Sequence, residues 1–406
     1  MRVSRVVIGG LVVATLVIGL GLGIAAANLG KPVNPGPVAA GGTPTPAVAT
    51  ATPGPATASD EPTTEPTPGP SADAPTPTPT ATPEPTPTPA PTPVLVPAPL
   101  TGMPVKPAIA ARHVIAVMID DLWAARPQSG LSQASVVWQA PAEGGIPRYM
   151  ALFQDGNPPA VGPVRSSRLY FISWASEWNA VYVHAGGSPQ ALALLRSAKG
   201  QGKVVWDADD FRWEGQYLHR VTFRSAPHNV YTDATDLRRL ATRVGAKPVT
   251  APKSFWRFAP DAPLEQRPTG GRIVVPYPEN VITYGYDRAT NTYPRTVSVE
   301  GKQYDAGFKP KVRIAPRNVV VMVVPFVPVG DVKHRLDGEV VGSGTAWIFT
   351  NGTVTKGTWK KNSFTGPTRF FDASGQPVTL TMGQTFVQVV PRGTRITIKR
   401  GTPPTP

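Results

Sequence analysis

Residues 31–100 set the strongest limit on what this chain can fold into. They are dominated by Pro, Thr and Ala, with Thr-Pro recurring through residues 76–89, and they contain no aromatic residue. A segment of that composition cannot bury enough apolar surface to offset the entropy of ordering it. It is expected to be a disordered, extended linker over residues 28–104, with threonines open to O-glycosylation. At about 3.1 Å per residue, polyproline II chain of this length would reach about 200 Å. Any globular fold must therefore lie beyond it.

Ahead of the linker, Arg2 and Arg5 precede residues 6–27, an uninterrupted run of apolar, Gly and Thr residues. The run is long enough to span a bilayer as a helix. The basic tip, residues 1–5, places its own end in the cytoplasm and the rest of the chain outside. Ala25-Ala26-Ala27 also fits a small-residue cleavage site, so a cleaved signal peptide is the competing reading. On either reading the folded part is extracytoplasmic, secreted if the segment is cleaved and single-pass membrane-anchored if it is kept. The chain has no cysteine, which excludes disulfides, thiolate metal sites and a lipid-modified cysteine anchor.

The total charge of +14 is unevenly spread. Residues 1–31 hold three basic side chains and no acid, and residues 32–99 hold five acids and no base, which leaves +16 for the remainder. A globular region so basic attracts anionic partners. Outside the cytoplasm these are wall polymers or lipid-linked precursors, and nucleic acid is not expected.

Over residues 105–250 short apolar runs alternate with helical patterns. Residues 113–120, 135–139, 148–153 and 180–184 read as strands. The apolar positions between Arg165 and Trp178 fit a helix. Ser188-Pro189 reads as N-cap and first residue of another helix. A third helix is expected over residues 233–244, with Thr232 as its cap. This predicts an α+β or α/β first domain. From residue 253 to 400 helical periodicity fades, and Asn351-Gly352 between two strand-like runs points to a type I′ hairpin. A mostly antiparallel β domain is expected there, with residues 318–327 as a long strand and residues 385–390 and 394–399 as a closing pair. Residues 401–406 read as a frayed tail.

The chemistry concentrates between Ala140 and Tyr170, where Glu143, Arg148, Arg165 and Arg168 sit among Gly, Pro and apolar residues. Charges bordering a core need partners. Here the guanidinium groups outnumber the nearby carboxylates, so an anion is expected among them. With a helix starting near Pro163, Arg165 and Arg168 would share one face of its first turns. His184-Ala185-Gly186-Gly187-Ser188 is a strand-to-helix turn open to an anion, with His184 facing the opening and the Ser188 hydroxyl used as a cap. His228-Asn229 lies in a turn before the third helix. Glu143 and His228 are the candidate acid–base residues. No compact ligand spacing is present, so neither a metal nor a cofactor is expected. Asp207, Asp209 and Asp210, with Arg212 and Arg220 nearby, read as a solvated loop or salt-bridge cluster in preference to a calcium site, and Lys360-Lys361 as an exposed basic face.

Several of these motifs occur together in one known family. Ala125-Arg126-Pro127-Gln128-Ser129-Gly130-Leu131, Glu143-Gly144-Gly145-Ile146 with Arg148 and Phe153-Gln154, and Gly162-Pro163-Val164-Arg165-Ser166-Ser167-Arg168 resemble the YerB-like family. So do His184 to Ala191, Pro227-His228-Asn229-Val230-Tyr231, Trp359-Lys360-Lys361 and Gly383-Gln384-Thr385. The resemblance spans most of residues 105–395. It implies a two-domain, membrane-attached extracytoplasmic protein without an assigned activity. Members are often anchored through a lipidated cysteine, which this chain lacks, and Pro147 stands where a threonine is common. The residues expected to bind are Arg126, Glu143, Arg148, Arg165, Arg168, His184, Gly186, Gly187, Ser188, His228 and Asn229. The leading expectation is a binder of an anionic envelope ligand. The alternatives are an envelope hydrolase or transferase acting on a phosphodiester or acyl group, and a scaffold that docks another envelope protein and whose Arg/Glu network is purely structural.

Overall fold

Strand β1, Ile115–Asp120, is apolar at its first five positions and buried throughout, so it needs cover on both faces. Ala116 and Met118 enter one core, while Ile115, Val117 and Ile119 enter another. The structure, a computed structural model, describes residues 94–197, 199–250 and 253–404. The expected membrane segment 6–27 and most of the linker lie outside the described residues. Among the described residues no helix is long and apolar enough to cross a membrane.

Around β1 stand β2 (Val136–Glu143), β3 (Ile146–Phe153), β4 (Val181–His184) and β5 (Trp206–Asp209). β1 runs antiparallel to β3 and parallel to β4, and β4 runs parallel to β5. Helices α1 (Leu169–Ser176) and α2 (Pro189–Arg196) close the first core through Tyr170, Phe171, Trp174 and Leu195. Helix α3 (Ala234–Arg243) closes the second through Leu237 and Leu240. The first half is thus a mixed sheet with short helices on both faces.

The second half supplies β6 (Arg272–Pro276), β7 (Val281–Gly285), β8 (Arg295–Val297), β9 (Gly301–Lys302), β10 (Asn318–Val324), β11 (Gly342–Thr350), β12 (Thr353–Lys361), β13 (Arg369–Phe371), β14 (Thr385–Pro391) and β15 (Thr397–Lys399). The main sheet has ten strands in the order β13-β12-β11-β10-β14-β2-β3-β1-β4-β5. Five strands from each half form it. The seam is β14, which pairs in parallel with both β10 and β2. A second, antiparallel sheet, β9-β8-β7-β6-β15, packs Ile273, Val275 and Ile282 on Val319 and Val321 of β10.

Local signals held where they were strongest. Asn351 and Gly352 both have positive φ, 49° and 74°, between β11 and β12, as a type I′ turn requires. Ser188 caps α2 by accepting from the N–H of Ala191.

Other expectations need correction. The ordered chain begins ahead of residue 105: Val96–Pro97 pairs with Pro104–Val105, and Leu100 is fully buried. Residues 164–167 are extended instead of helical, because Arg165 N–H bonds Met118 O at 2.9 Å and Ala185 N–H bonds Arg165 O at 3.0 Å. Arg165 and Arg168 therefore precede α1 and share no helical face. The cap of α3 is Asp233, which accepts from the N–H groups of Thr235 and Asp236, while the Thr232 hydroxyl donates to Tyr217 O at 2.8 Å. The long strand stops at Val324, and β14 and β15 belong to different sheets instead of closing on each other. The tail is pinned at Thr402, whose N–H donates to Thr269 O at 2.8 Å.

Candidate functional site

The parallel strands β1, β4 and β5 end at Asp120, His184 and Asp209 along one edge of the sheet, the edge at which α/β folds present binding groups. Asp120 organises the open part. One of its oxygens, Oδ2, receives both the Nε of Arg165 at 2.9 Å and the Nδ1 of His228 at 2.7 Å. Neither Nη group of Arg165, nor Nε2 of His228, has a protein partner among the described residues. Asp120 thus holds two cationic or donor groups side by side with their outer ends unused. Arg165 is 24% exposed and His228 15%, whereas Asp120 itself is buried.

Behind this pair lies a second set. The β2–β3 hairpin has a bulge between Pro141 and Glu143, a device that re-aims a side chain. Glu143 takes Arg148 on Oε1 and Arg168 on Oε2. Arg148 also donates to Ser166 O at 2.9 Å, and Arg168 to Ser167 O at 2.7 Å. Both arginines are buried. Three guanidinium groups thus share two carboxylates in one contiguous cluster. The surplus is felt at Arg148: burial and the neighbouring Arg168 bring its guanidinium down to about 10.

Burial alone would raise the Asp120 carboxyl. The His228 hydrogen bond, the charges of Arg165 and Arg148, and the Leu122 N–H outweigh it, and the group is lowered from 3.8 to about 2. A folded-state value below the unfolded one stabilises the fold above about pH 4, and the gain is lost as the pH falls towards 2. The shift corresponds to about 2 kcal/mol. In urea denaturation the stability gap between the protein and Asp120→Asn should shrink by roughly that amount from pH 5 to pH 2. Equal pH slopes for the two proteins would contradict the assignment.

The remaining expected residues fall elsewhere. Arg126 lies apart, donating to Asp121 and, at 3.1 Å, to Glu300 Oε2. Asp120 and Asp121 point to opposite faces because side chains alternate along a strand. His184 does not face an opening. It is fully buried, with Nδ1 on Gly186 O at 2.8 Å and Nε2 on Asp207 Oδ1 at 2.7 Å. Burial would lower its pKa, but the Asp207 hydrogen bond and the charges of Asp207 and Asp209 raise it. Gly186 has φ 65°, and a Cβ there would meet Phe211 at 3.0 Å. One at Gly187 would meet Leu192 and Ser167 at 3.2 Å. That turn is packed, and the Ser188 hydroxyl is spent as a cap. Asn229 accepts from Arg220 at 3.0 Å. The acidic loop is structural too, since Asp209 also accepts the Gly186 N–H at 2.9 Å.

Sequence reasoning missed the aromatic rim. Trp123 and Phe223 are 72% and 71% exposed. Arg224 ties their loops together by donating to Ala124 O at 2.7 Å and Pro127 O at 2.8 Å, and His228 ties the same loop to Asp120. The two exposed aromatics thus stand on the loops that the Arg224 and His228 contacts join. Bulky apolar residues outside the periodic segments were the only available signal.

Residues 100–247 match the family described as "Protein of unknown function (DUF3048) N-terminal domain", and residues 273–387 its C-terminal domain. The chain is 30% identical over 310 residues to the "Putative lipoprotein YerB" of Bacillus subtilis (strain 168), covering 75% of this chain and 89% of the relative. The crystal structure of YerB from Bacillus subtilis superposes with a TM-score of 0.65 at 26% identity, covering 75% of this chain and 99% of that one. With both halves matched and the fold shared, the chain belongs to the YerB-like, DUF3048 family.

Proposed function

We propose that this protein is an extracytoplasmic, membrane-attached binder of an anionic cell-envelope ligand, held at Asp120, Arg165 and His228. The observation that carries the reading is the shared Asp120 oxygen, which fixes Arg165 and His228 together with the Nη groups of Arg165 unused and Nε2 of His228 open. A phosphate or carboxylate between them would be met by charge-assisted hydrogen bonds from the Arg165 Nη groups, and from His228 Nε2 whenever the imidazole carries its second proton. Glu143, Arg148 and Arg168 supply the positive surplus from behind, and Trp123 and Phe223 offer apolar surface beside it. Arg126, His184, Gly186, Gly187, Ser188 and Asn229 are assigned to the scaffold. The lipoprotein label of the Bacillus subtilis relative supports the address. A wall polymer or a lipid-linked precursor fits the charge better than a protein partner does. Glu143 is spent between two arginines, which argues against its use as a general base.

Titration with inorganic phosphate and with poly(glycerol phosphate) tests the reading. Arg165→Gln should weaken binding of both by about tenfold or more, since a hydrogen bond to a charged group contributes about 1.5–3 kcal/mol. The melting temperature should change little, because Arg165 is partly exposed and His228 still pairs with Asp120. Arg168→Gln, by contrast, should destabilise the fold. Unchanged phosphate affinity in Arg165→Gln rules the site out.

A further inference from the structure

At the far end of the main sheet the edge strand β13 borders two neighbouring clefts, of about 260 and 240 Å³. They share Arg369 and Phe371 as walls. Phe255, Trp256 and Arg257 complete the first, and Lys360 stands on the second. Among the described residues no Asp or Glu lines either cleft. Among the described residues, Arg257, Lys360 and Arg369 have no carboxylate within 4 Å, unlike every arginine of the Asp120 cluster.

The acids that could have neutralised them are engaged elsewhere. Asp372, next to Phe371 in the chain, turns into its own loop, where Oδ1 accepts from Ser374 N–H at 2.9 Å, Ser374 Oγ at 2.7 Å and Gln376 N–H at 2.9 Å. Glu177, on the inner side of β12, is taken by Lys361. Strand alternation sends Lys361 inward and leaves Lys360 outside, its Nζ 5.1 Å from the centre of the Phe371 ring. The aromatic walls are fixed as well. Trp256 Nε1 donates to Thr368 O at 2.9 Å, and the Phe255 ring packs on Trp178 at 4.4 Å.

We propose that these paired clefts are a second anion site, built for an acidic polysaccharide. Three unpaired cations supply the attraction, and two clefts on a common wall suit at least two successive charged units. Half-buried rings in the same walls, Phe255 and Phe371, offer flat apolar surface to sugar rings, which a simple inorganic anion would not use. The site is independent of the Asp120 pair and stands whether or not that pair binds a ligand.

The test is calorimetric titration of the protein with an oligogalacturonate, which carries a carboxylate on every ring. Inorganic polyphosphate (charge without rings) and phosphatidylglycerol vesicles serve as the comparison probes. The oligogalacturonate should bind, bind less tightly at 0.5 M salt than at 0.05 M, and lose about tenfold or more in the Lys360→Gln/Arg369→Gln variant. Both positions are exposed, so the unfolding curve of that variant should match the unaltered protein, and Arg165→Gln should leave this binding intact. Three results would each overturn the proposal: no binding by the unaltered protein, equal binding by the double variant, or polyphosphate or vesicles binding as tightly through these residues.

Discussion

Lys361→Ala should cost the fold about 3–5 kcal/mol, the usual range for removing one partner of a buried ion pair. Lys361 and Glu177 are fully enclosed, with Nζ 2.9 Å from Oε1. The lysine also donates to Ser173 O at 3.3 Å and to Gly366 O, and Thr368 Oγ1 donates to the same Glu177 oxygen at 2.6 Å. Burial pushes the glutamate carboxyl up and the ammonium down, and each partner opposes the other's shift. Truncating the lysine leaves a carboxylate in the core with only the uncharged donors of Thr368 to answer it. In a domain this large the melting temperature should fall by roughly 10 °C. The double variant Lys361→Met/Glu177→Leu should recover most of that, because apolar replacements of a buried pair are often neutral or better. A single-variant loss below about 1 kcal/mol would show that water reaches the pair.

Arg295→Ala should be comparably damaging, for a different reason. Arg295 is fully buried among the rings of Tyr149, Tyr284 and Phe386, at 5.4, 5.8 and 5.8 Å. It donates to Gln139 Oε1 at 2.6 Å, to Tyr284 OH at 3.1 Å and to Gln303. Gln139 in turn donates to Asp121, which also receives Arg126. Removing the guanidinium strands Gln139 and Gln303 and opens a cavity, so a loss of about 3–5 kcal/mol is expected. Because Gln139 lies on β2 and Arg295 on β8, a double-mutant cycle between them should give a coupling of about 1–3 kcal/mol. Additive effects would mean that the two halves are not joined at this point.

These two side chains mark where reading the sequence stopped. Glu143 was identified as the acid among the arginines because it is close in the chain, and proximity is what sequence shows. Beside Lys360 in the sequence, Lys361 has the look of a surface lysine. Its partner Glu177 is 184 positions away, and nothing local distinguishes it from its exposed neighbour. Arg295 stands in a β-rich stretch whose period says nothing about the glutamines that surround it. The same holds for backbone. The Asn351-Gly352 turn and the Ser188 cap are decided within a few residues, and both were legible. The apolar spacing from Leu169 to Trp178, carried back to a start near Pro163, predicts helix over residues 164–167, and pairing with the end of β1 and with the turn after β4 overrides that preference.

The seam strand has a bearing on how the molecule comes into being. β14 is the last member of the main sheet to leave the ribosome, yet it sits in the middle of that sheet, flanked by β2 and β10. A chain made from its N-terminus must wait with β2 uncovered until nearly all of it has been synthesised. Until then the half-made sheet offers a row of unpaired peptide groups to any passing strand. Chains cut short before Thr385 should therefore be cleared by proteolysis or aggregate, and no working N-terminal fragment should accumulate.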